Sequence, residues 1–223
     1  MEWVHKPEGD IYEELETVTL NGKKVAVTKN GYFTDKHIFK MPLGKLKKGK
    51  NVIVCKVPFG KRLSLENMFL LGEFDAVATG AVSKITAVSH EIAFGSVVGQ
   101  GLPFYGAAIT YRLPFECGQS DISVQAPWYK GALISCRLDG REVGSIVYAP
   151  YRLNVSDVAP GQHVLEMTLY LSRINCFGAF HSAVDDRWNG PSAWFRHDYH
   201  YSYEYQLKHN GILKSPVIEI YDK

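Results

Sequence analysis

Cysteine is scarce in this 223-residue chain: Cys55, Cys117, Cys136 and Cys176 stand far apart, with no C-x-x-C pair. Zinc sites draw at least half of their ligands from closely spaced Cys and His, so a structural zinc is disfavoured. Cys55, Cys117 and Cys136 lie in or beside apolar stretches, which reads as buried free thiols rather than a disulfide framework. Charge of one sign is also short, since 25 Lys+Arg against 23 Asp+Glu leave +2. A nucleic-acid partner held by phosphate neutralisation calls for a concentrated basic face. The one basic cluster, Leu46-Lys47-Lys48-Gly49-Lys50, reads better as a solvated turn. No apolar run approaches the roughly 18–20 residues that cross a bilayer, so no membrane partner is expected. The opening Met1-Glu2-Trp3-Val4-His5-Lys6-Pro7 lacks a basic head followed by an apolar stretch. The expectation is therefore no secretory leader, with the location left open between cytoplasm and a piece of a larger protein.

Helical periodicity is missing as well. In its place stand short or alternating apolar runs: Thr17–Leu20, Val25–Val27, Asn51–Val57, Ala81–Val88, Ala108–Leu113, Ile122–Val124, Ala132–Leu138, Gly144–Tyr148, His163–Leu171 and Val217–Tyr221. Asn21-Gly22, Asn30-Gly31, Asp139-Gly140 and Pro160-Gly161 punctuate them. Asn-Gly and Asp-Gly tolerate the positive φ that two-residue hairpins demand, so these runs read as strands joined by tight turns. With 46% apolar residues there is material for a core, and the chain is expected to be all-β.

Two stretches repeat in order. Val18-Thr19-Leu20-Asn21-Gly22-Lys23-Lys24-Val25 parallels Cys136-Arg137-Leu138-Asp139-Gly140-Arg141-Glu142-Val143, each a strand, an Asn/Asp-Gly turn and a return strand. Leu46–Val54 parallels Val158–Glu166, each a glycine-bearing loop that leads into a strand. Two β-sandwich units are expected, with a seam around Ser89–Gly101: a smaller unit over 1–94 and a larger one over 95–223.

Thirteen Tyr, 11 Phe and 4 Trp supply aromatic surface. A pyranose packs its apolar C–H face on a flat ring while neighbouring polar side chains take its hydroxyls. The densest supply is the Gly/Pro-broken stretch Asn175–His200, holding His181, Asp185, Asp186, Arg187, Trp188, Asn189 and Trp194. Long loops at a sandwich edge commonly carry function. Three uses are open for this one: a self-packed cover on the core, a glycan site, or a contact with another domain. Trp128-Tyr129 after Pro127 is a second candidate platform, and Phe104-Tyr105 after Pro103 reads as a strand-opening anchor.

Tests for other chemistry come out weaker. Glycosidases set two carboxyls roughly 5–9.5 Å apart across the scissile bond. Asp185-Asp186 are adjacent and tend to point apart, while Glu73 and Asp75 flank Phe74 as a solvated face would. His181 with Asp185 and Asp186 forms a mixed metal-ligand set on paper, and a structural calcium is the one metal kept open; no cofactor is expected. Gly95–Gly101 is glycine-rich, but no helix follows to offer amides to a phosphate.

Several motifs, in order, resemble one family. Gly101-Leu102-Pro103-Phe104-Tyr105-Gly106-Ala107-Ala108-Ile109-Thr110-Tyr111 resembles the opening of a galactose-binding-like jelly roll from the C-terminal regions of bacterial family 2-like and rhamnosidase-like glycoside hydrolases. Leu138–Gly144, Ala149–Val155, Arg173–His181, Tyr203–Leu207 with Gly211-Ile212-Leu213, and upstream Phe69–Asp75 resemble further strands and turns of those modules. The resemblance runs from about Thr17 onward and rests on order rather than on a single motif. It implies a second unit of galactose-binding-like fold. It also implies a non-catalytic, carbohydrate-associated role, binding glycan or buttressing the catalytic domain of a parent glycoside hydrolase, because the catalytic barrel of those enzymes lies upstream. A purely structural or protein-docking sandwich and a small self-contained glycosidase are the competing readings.

Overall fold

The computed structural model of the chain describes residues 2–5, 17–58, 68–89, 91–184, 194 and 197–222. The chain divides into two compact units, Met1–Glu73 and Phe74–Lys223.

The first unit contributes β1 (Glu2–His5), β2 (Thr17–Leu20), β3 (Lys23–Val25), β4 (Tyr32–Phe33), β5 (Asp35–Pro42), β6 (Ile53–Lys56) and β7 (Met68–Leu71). They form two antiparallel sheets, ordered β4-β5-β1-β7 and β3-β2-β6. The Asn21-Gly22 turn closes β2 on β3 with φ of 52° and 79°, the left-handed pair a two-residue hairpin requires. Asn21 also ties this turn to the β6 strand: its amide donates to the Val52 carbonyl at 2.8 Å and its Oδ1 accepts from the Val52 amide at 2.9 Å. Val18 from one sheet meets Met41 from the other, with Leu43, Val25, Val27, Cys55, Val57 and Leu70 around them. This is a small sandwich core.

The second unit contributes β8 (Asp75–Thr79), β9 (Val82–Thr86), β10 (Ala108–Cys117), β11 (Ser120–Gln125), β12 (Tyr129–Lys130), β13 (Leu133–Leu138), β14 (Arg141–Ile146), β15 (Arg152–Val158), β16 (Gly161–Tyr170), β17 (Gly211–Ile212) and β18 (Val217–Asp222). Two sheets, β10-β16-β13-β14 and β15-β11-β18, face each other; β12 pairs with β17, and β8 with β9. Period-2 burial explains the layering. On β16, Leu165, Met167 and Leu169 are buried while Glu166 and Thr168 between them are not. The inward set meets Ile134, Cys136 and Ile146 of the same sheet and Ile122, Val124 and Val158 of the other. Each such apolar side chain contributes roughly 1.5–3 kcal/mol by burial. The all-β sandwich reading stands.

The outer face of the larger sheet is matched strand by strand. One cross-strand row runs Arg112, Glu166, Arg137, Glu142, alternating in sign across four strands. The next runs Thr110, Thr168, Ser135, Ser145, with the two threonine hydroxyls 2.8 Å apart. Such directly opposed pairs favour this register over any slipped one.

The division after Glu73 lies upstream of the expected boundary at 94/95. Ile92 and Phe94 pack on the second core, Ala76 N–H donates to Gly101 O at 2.7 Å, and Asp75 accepts from the Ser89 amide at 2.7 Å. Gly95 and Gly101 therefore mark bends and turns within the second unit, on either side of a short 3-10 helix, Val97–Gly99. Asp75 also corrects the solvated-face reading: it is buried, and its carboxyl lies where a Cβ on Gly101 would sit. All four thiols are free.

Candidate functional site

Strand register places long and short connections at opposite ends of the second sandwich. At one end Cys117–Ser120, Leu138–Arg141 and Val158–Gly161 are each bridged by two residues. At the other end Ala108, Leu133 and Tyr170 share a row, as do Gln125, Arg152 and Val217. The segments 94–107, 126–132, 147–151 and 171–216 all leave or enter there. This end has the backbone to build a site; the other has only turns.

The first feature of that end is a set of exposed aromatic residues on two laced loops. Ala126 N–H donates to Tyr151 O at 3.0 Å, and Tyr151 N–H to Tyr148 O at 2.8 Å. The Trp128 carbonyl accepts from the amides of Leu213 and Lys214 at 2.9 and 3.2 Å. Trp128, Tyr148 and Tyr151 remain 55%, 84% and 37% exposed. Tyr151 is held at φ 56°, a left-handed conformation that bulky residues rarely adopt. Tyr129, paired with Trp128 in the sequence reading, has a different task. Its hydroxyl donates between the carbonyls of Ile146 and Val147, at 3.2 and 3.3 Å, and its ring meets Tyr151 edge-on at 5.4 Å. Burial, then the neighbouring Tyr151, pushes its pKa up, so the hydroxyl keeps its proton and its role as donor.

Arg152, which follows Tyr151, opens a linked set of polar side chains on the smaller sheet. Arg152 Nη1 lies 2.8 Å from Glu219 Oε2, Arg152 Nη2 is 3.5 Å from Gln125 Oε1, and the Tyr221 hydroxyl donates to Glu219 at 2.8 Å.

The second feature is the loop after the one-turn helix Ile174–Phe177. Buried Asn175 fixes it, accepting from Lys208 N–H at 2.9 Å and donating to Lys208 O at 2.8 Å. His181 then sits among aromatic rings: Tyr205 stacked at 5.0 Å, Phe180 at 5.4 Å and Tyr201 at 5.5 Å, with Phe104 packed on Tyr205 at 5.3 Å. The Phe104 anchor expected from sequence thus packs on this loop. Trp194 is exposed. Asp185, Asp186, Arg187, Trp188 and Asn189 lie outside the described residues, so the site and metal expectations placed on them do too. Among the described residues no group of three His, Cys, Asp or Glu side chains is placed to hold a metal ion.

Sequence reasoning passed over Tyr148, Tyr151, Tyr201 and Tyr205. The signal for the first two was present in Tyr148-Ala149-Pro150-Tyr151, a proline turn flanked by aromatics between two strand runs.

No family model matches the chain, and no curated protein matches it. Among solved structures, a GH2 beta-galacturonidase from Eisenbergiella tayi bound to galacturonate is similar over 65% of this chain and 22% of its own, at 20% identity and a TM-score of 0.33. A rhamnosidase from Novosphingobium sp. PP1Y is similar over 92% of this chain and 20% of its own, at 18% identity and a TM-score of 0.41. The chain thus spans about a fifth of the length of these structures. Likeness at this level carries no argument about what the chain does.

Proposed function

We propose that the chain is a non-catalytic, carbohydrate-associated β-sandwich module of galactose-binding-like type, working beside the catalytic domain of a glycoside hydrolase. The order of the sequence motifs supports the family side of this reading. The observation that carries the binding side is the exposure of Trp128, Tyr148 and Tyr151 on loops tied down by backbone hydrogen bonds. Exposing such rings forgoes burial worth kilocalories, and a sugar's C–H face recovers it. Arg152, Gln125 and Glu219 supply donors and acceptors for hydroxyls beside the rings.

The test is titration with neutral methyl glycosides and short oligosaccharides, read by tryptophan fluorescence and calorimetry. Millimolar or tighter binding is expected, with Trp128→Ala weakening it about tenfold, the order of one lost aromatic stacking contact. No binding of any glycan at millimolar concentration removes the binding half.

A second reading, a docking sandwich, is favoured by one observation. Val52, Ile53 and Val54 are exposed on and beside β6, which ends its sheet among the described residues. Exposed apolar edge strands are pairing sites. Concentration-dependent self-association, or binding to a glycoside hydrolase catalytic domain lost on Val54→Lys, would select this reading.

A further inference from the structure

We propose that His181 is the directional acceptor of a second ligand subsite, its Nε2 taking a hydrogen bond from a hydroxyl of a neutral sugar seated against Tyr201 and Tyr205. This rests on the carbohydrate reading and adds a specificity-determining residue to it.

The protonation pattern of the ring follows from its partners. His181 Nδ1 lies 3.0 Å from the Ser202 carbonyl. A carbonyl only accepts, so Nδ1 carries the proton, and in the neutral ring Nε2 is left as an acceptor. Among the described residues Nε2 has no hydrogen-bond partner, whereas Nδ1 is held by the Ser202 carbonyl. His181 is half-buried, and in the neutral ring this nitrogen is a lone pair held in a fixed direction.

The surroundings hold it still. Ser182 and Tyr201 form an antiparallel bridge, Ser202 N–H donates to His181 O at 2.9 Å, and Ala183 N–H to His200 O at 2.9 Å. Gln206 N–H donates to Phe180 O at 2.8 Å, and the Ser202 hydroxyl accepts from Glu204 N–H and Gln206 Nε2 at 3.1 Å each. These groups are occupied with one another; among the described residues the His181 Nε2 is not. An acceptor whose ring is already clamped loses little entropy when it is used. A hydroxyl supplies the proton that the neutral Nε2 lacks, so the ligand class proposed is a neutral polyhydroxyl compound.

The experiment is long-range proton–nitrogen NMR of the imidazole side chains in the full chain, titrated with methyl glycosides of glucose, galactose, mannose, xylose and rhamnose. The free protein is expected to show His181 protonated on Nδ1, and one or more glycosides should shift the Nε2 resonance. His181→Phe, which keeps a stacked ring but no nitrogen, should weaken binding roughly threefold to tenfold, the worth of one neutral hydrogen bond. His181→Gln, which keeps an acceptor near Nε2, should recover part of the loss. Should the phenylalanine variant fail to fold, the wild-type nitrogen shifts still decide. A proton on Nε2 in the free protein, or an unmoved Nε2 while the Trp128 indole signal responds, overturns the subsite and leaves the carbohydrate reading standing. No response at either residue overturns both.

Discussion

Asp139 and His163 form a staple between two turns at the loop-poor end of the second sandwich, and its charge state is dictated by its partners. His163 Nδ1 lies 2.7 Å from Asp139 Oδ2 and Nε2 lies 2.8 Å from Ala159 O, so both nitrogens face acceptors and both need protons. Asp139 Oδ1 also accepts from the Val164 amide at 2.8 Å. The bond to Asp139, then the one to Ala159, raises the pKa of His163; the bond from His163, then that from Val164, holds Asp139 below the usual carboxylate range. The histidine's contribution is full below its ordinary value of about 6.5 and is lost as pH rises through the raised one. The aspartate's contribution is full above its ordinary value of about 3.9 and is lost as pH falls through the lowered one. The pair is therefore strongest between about pH 4 and pH 6.5. Asp139→Asn removes a charge-assisted bond of about 1.5–3 kcal/mol. The Asp139 side chain is 49% exposed, so solvent screening reduces the expected loss to about 1–2 kcal/mol. At high pH the comparison changes. A neutral His163 that donates through Nε2 to Ala159 points an Nδ1 lone pair at the wild-type carboxylate, whereas an asparagine amide can donate to it. Urea denaturation of both proteins at about pH 5.5 and pH 9.5, with exchange of the Val164 amide as the local probe, should show the deficit of the variant shrinking towards zero at the higher pH. An equal deficit at both values would refute the imidazolium assignment.

Gly211→Ala should destabilise the second unit by about 3 kcal/mol or more in denaturant melts, because φ is 130° there and an added Cβ would lie 2.5 Å from Gly95 O. Leu165→Ala, at the centre of the larger sheet and fully buried, should cost about 2–5 kcal/mol by the same measurement. Tyr151→Asn separates binding from folding. Asparagine tolerates the left-handed backbone better than tyrosine, which offsets the lost edge contact with Tyr129, so stability should stay within about 1 kcal/mol while glycan affinity falls. Equal affinity in calorimetry would take Tyr151 out of the platform.

The fold was legible where turn chemistry and alternation agree. Asn21-Gly22 and Asp139-Gly140 close the hairpins read from them, with positive φ at both residues of each turn. Thr17–Leu20 is a strand as bounded, and the runs at Ala108–Leu113 and His163–Leu171 lie largely within the long strands β10 and β16. Strand β5 was not legible. Its buried residues, Ile38 and Met41, are three apart, and Lys40 beside Met41 breaks the alternation that would have marked it. The short β12 and β17 carry no pattern of their own; they exist because Tyr129 and Ile212 pair across chain-distant loops.

The same physics decides what could be read of the site. Pro127 before Trp128 marks a turn, and Trp128 is exposed there. Tyr129 is next in sequence and chemically similar, yet its hydroxyl serves the carbonyls of Ile146 and Val147, acceptors contributed by a strand end 17 and 18 residues away. No local window contains that fact. His181 shows the limit from the other side: its candidacy came from composition, but its role depends on which nitrogen meets the Ser202 carbonyl, 21 residues downstream. Residue type fixes what a side chain can do, and the long-range pairing of loops selects one of those roles. The platform and the His181 cage should accordingly respond to loop-anchoring substitutions far from any ring. Asn175→Ala, which removes the two hydrogen bonds Asn175 makes to the Lys208 backbone, should loosen the cage and reduce an effect of glycan on His181 without touching Trp128.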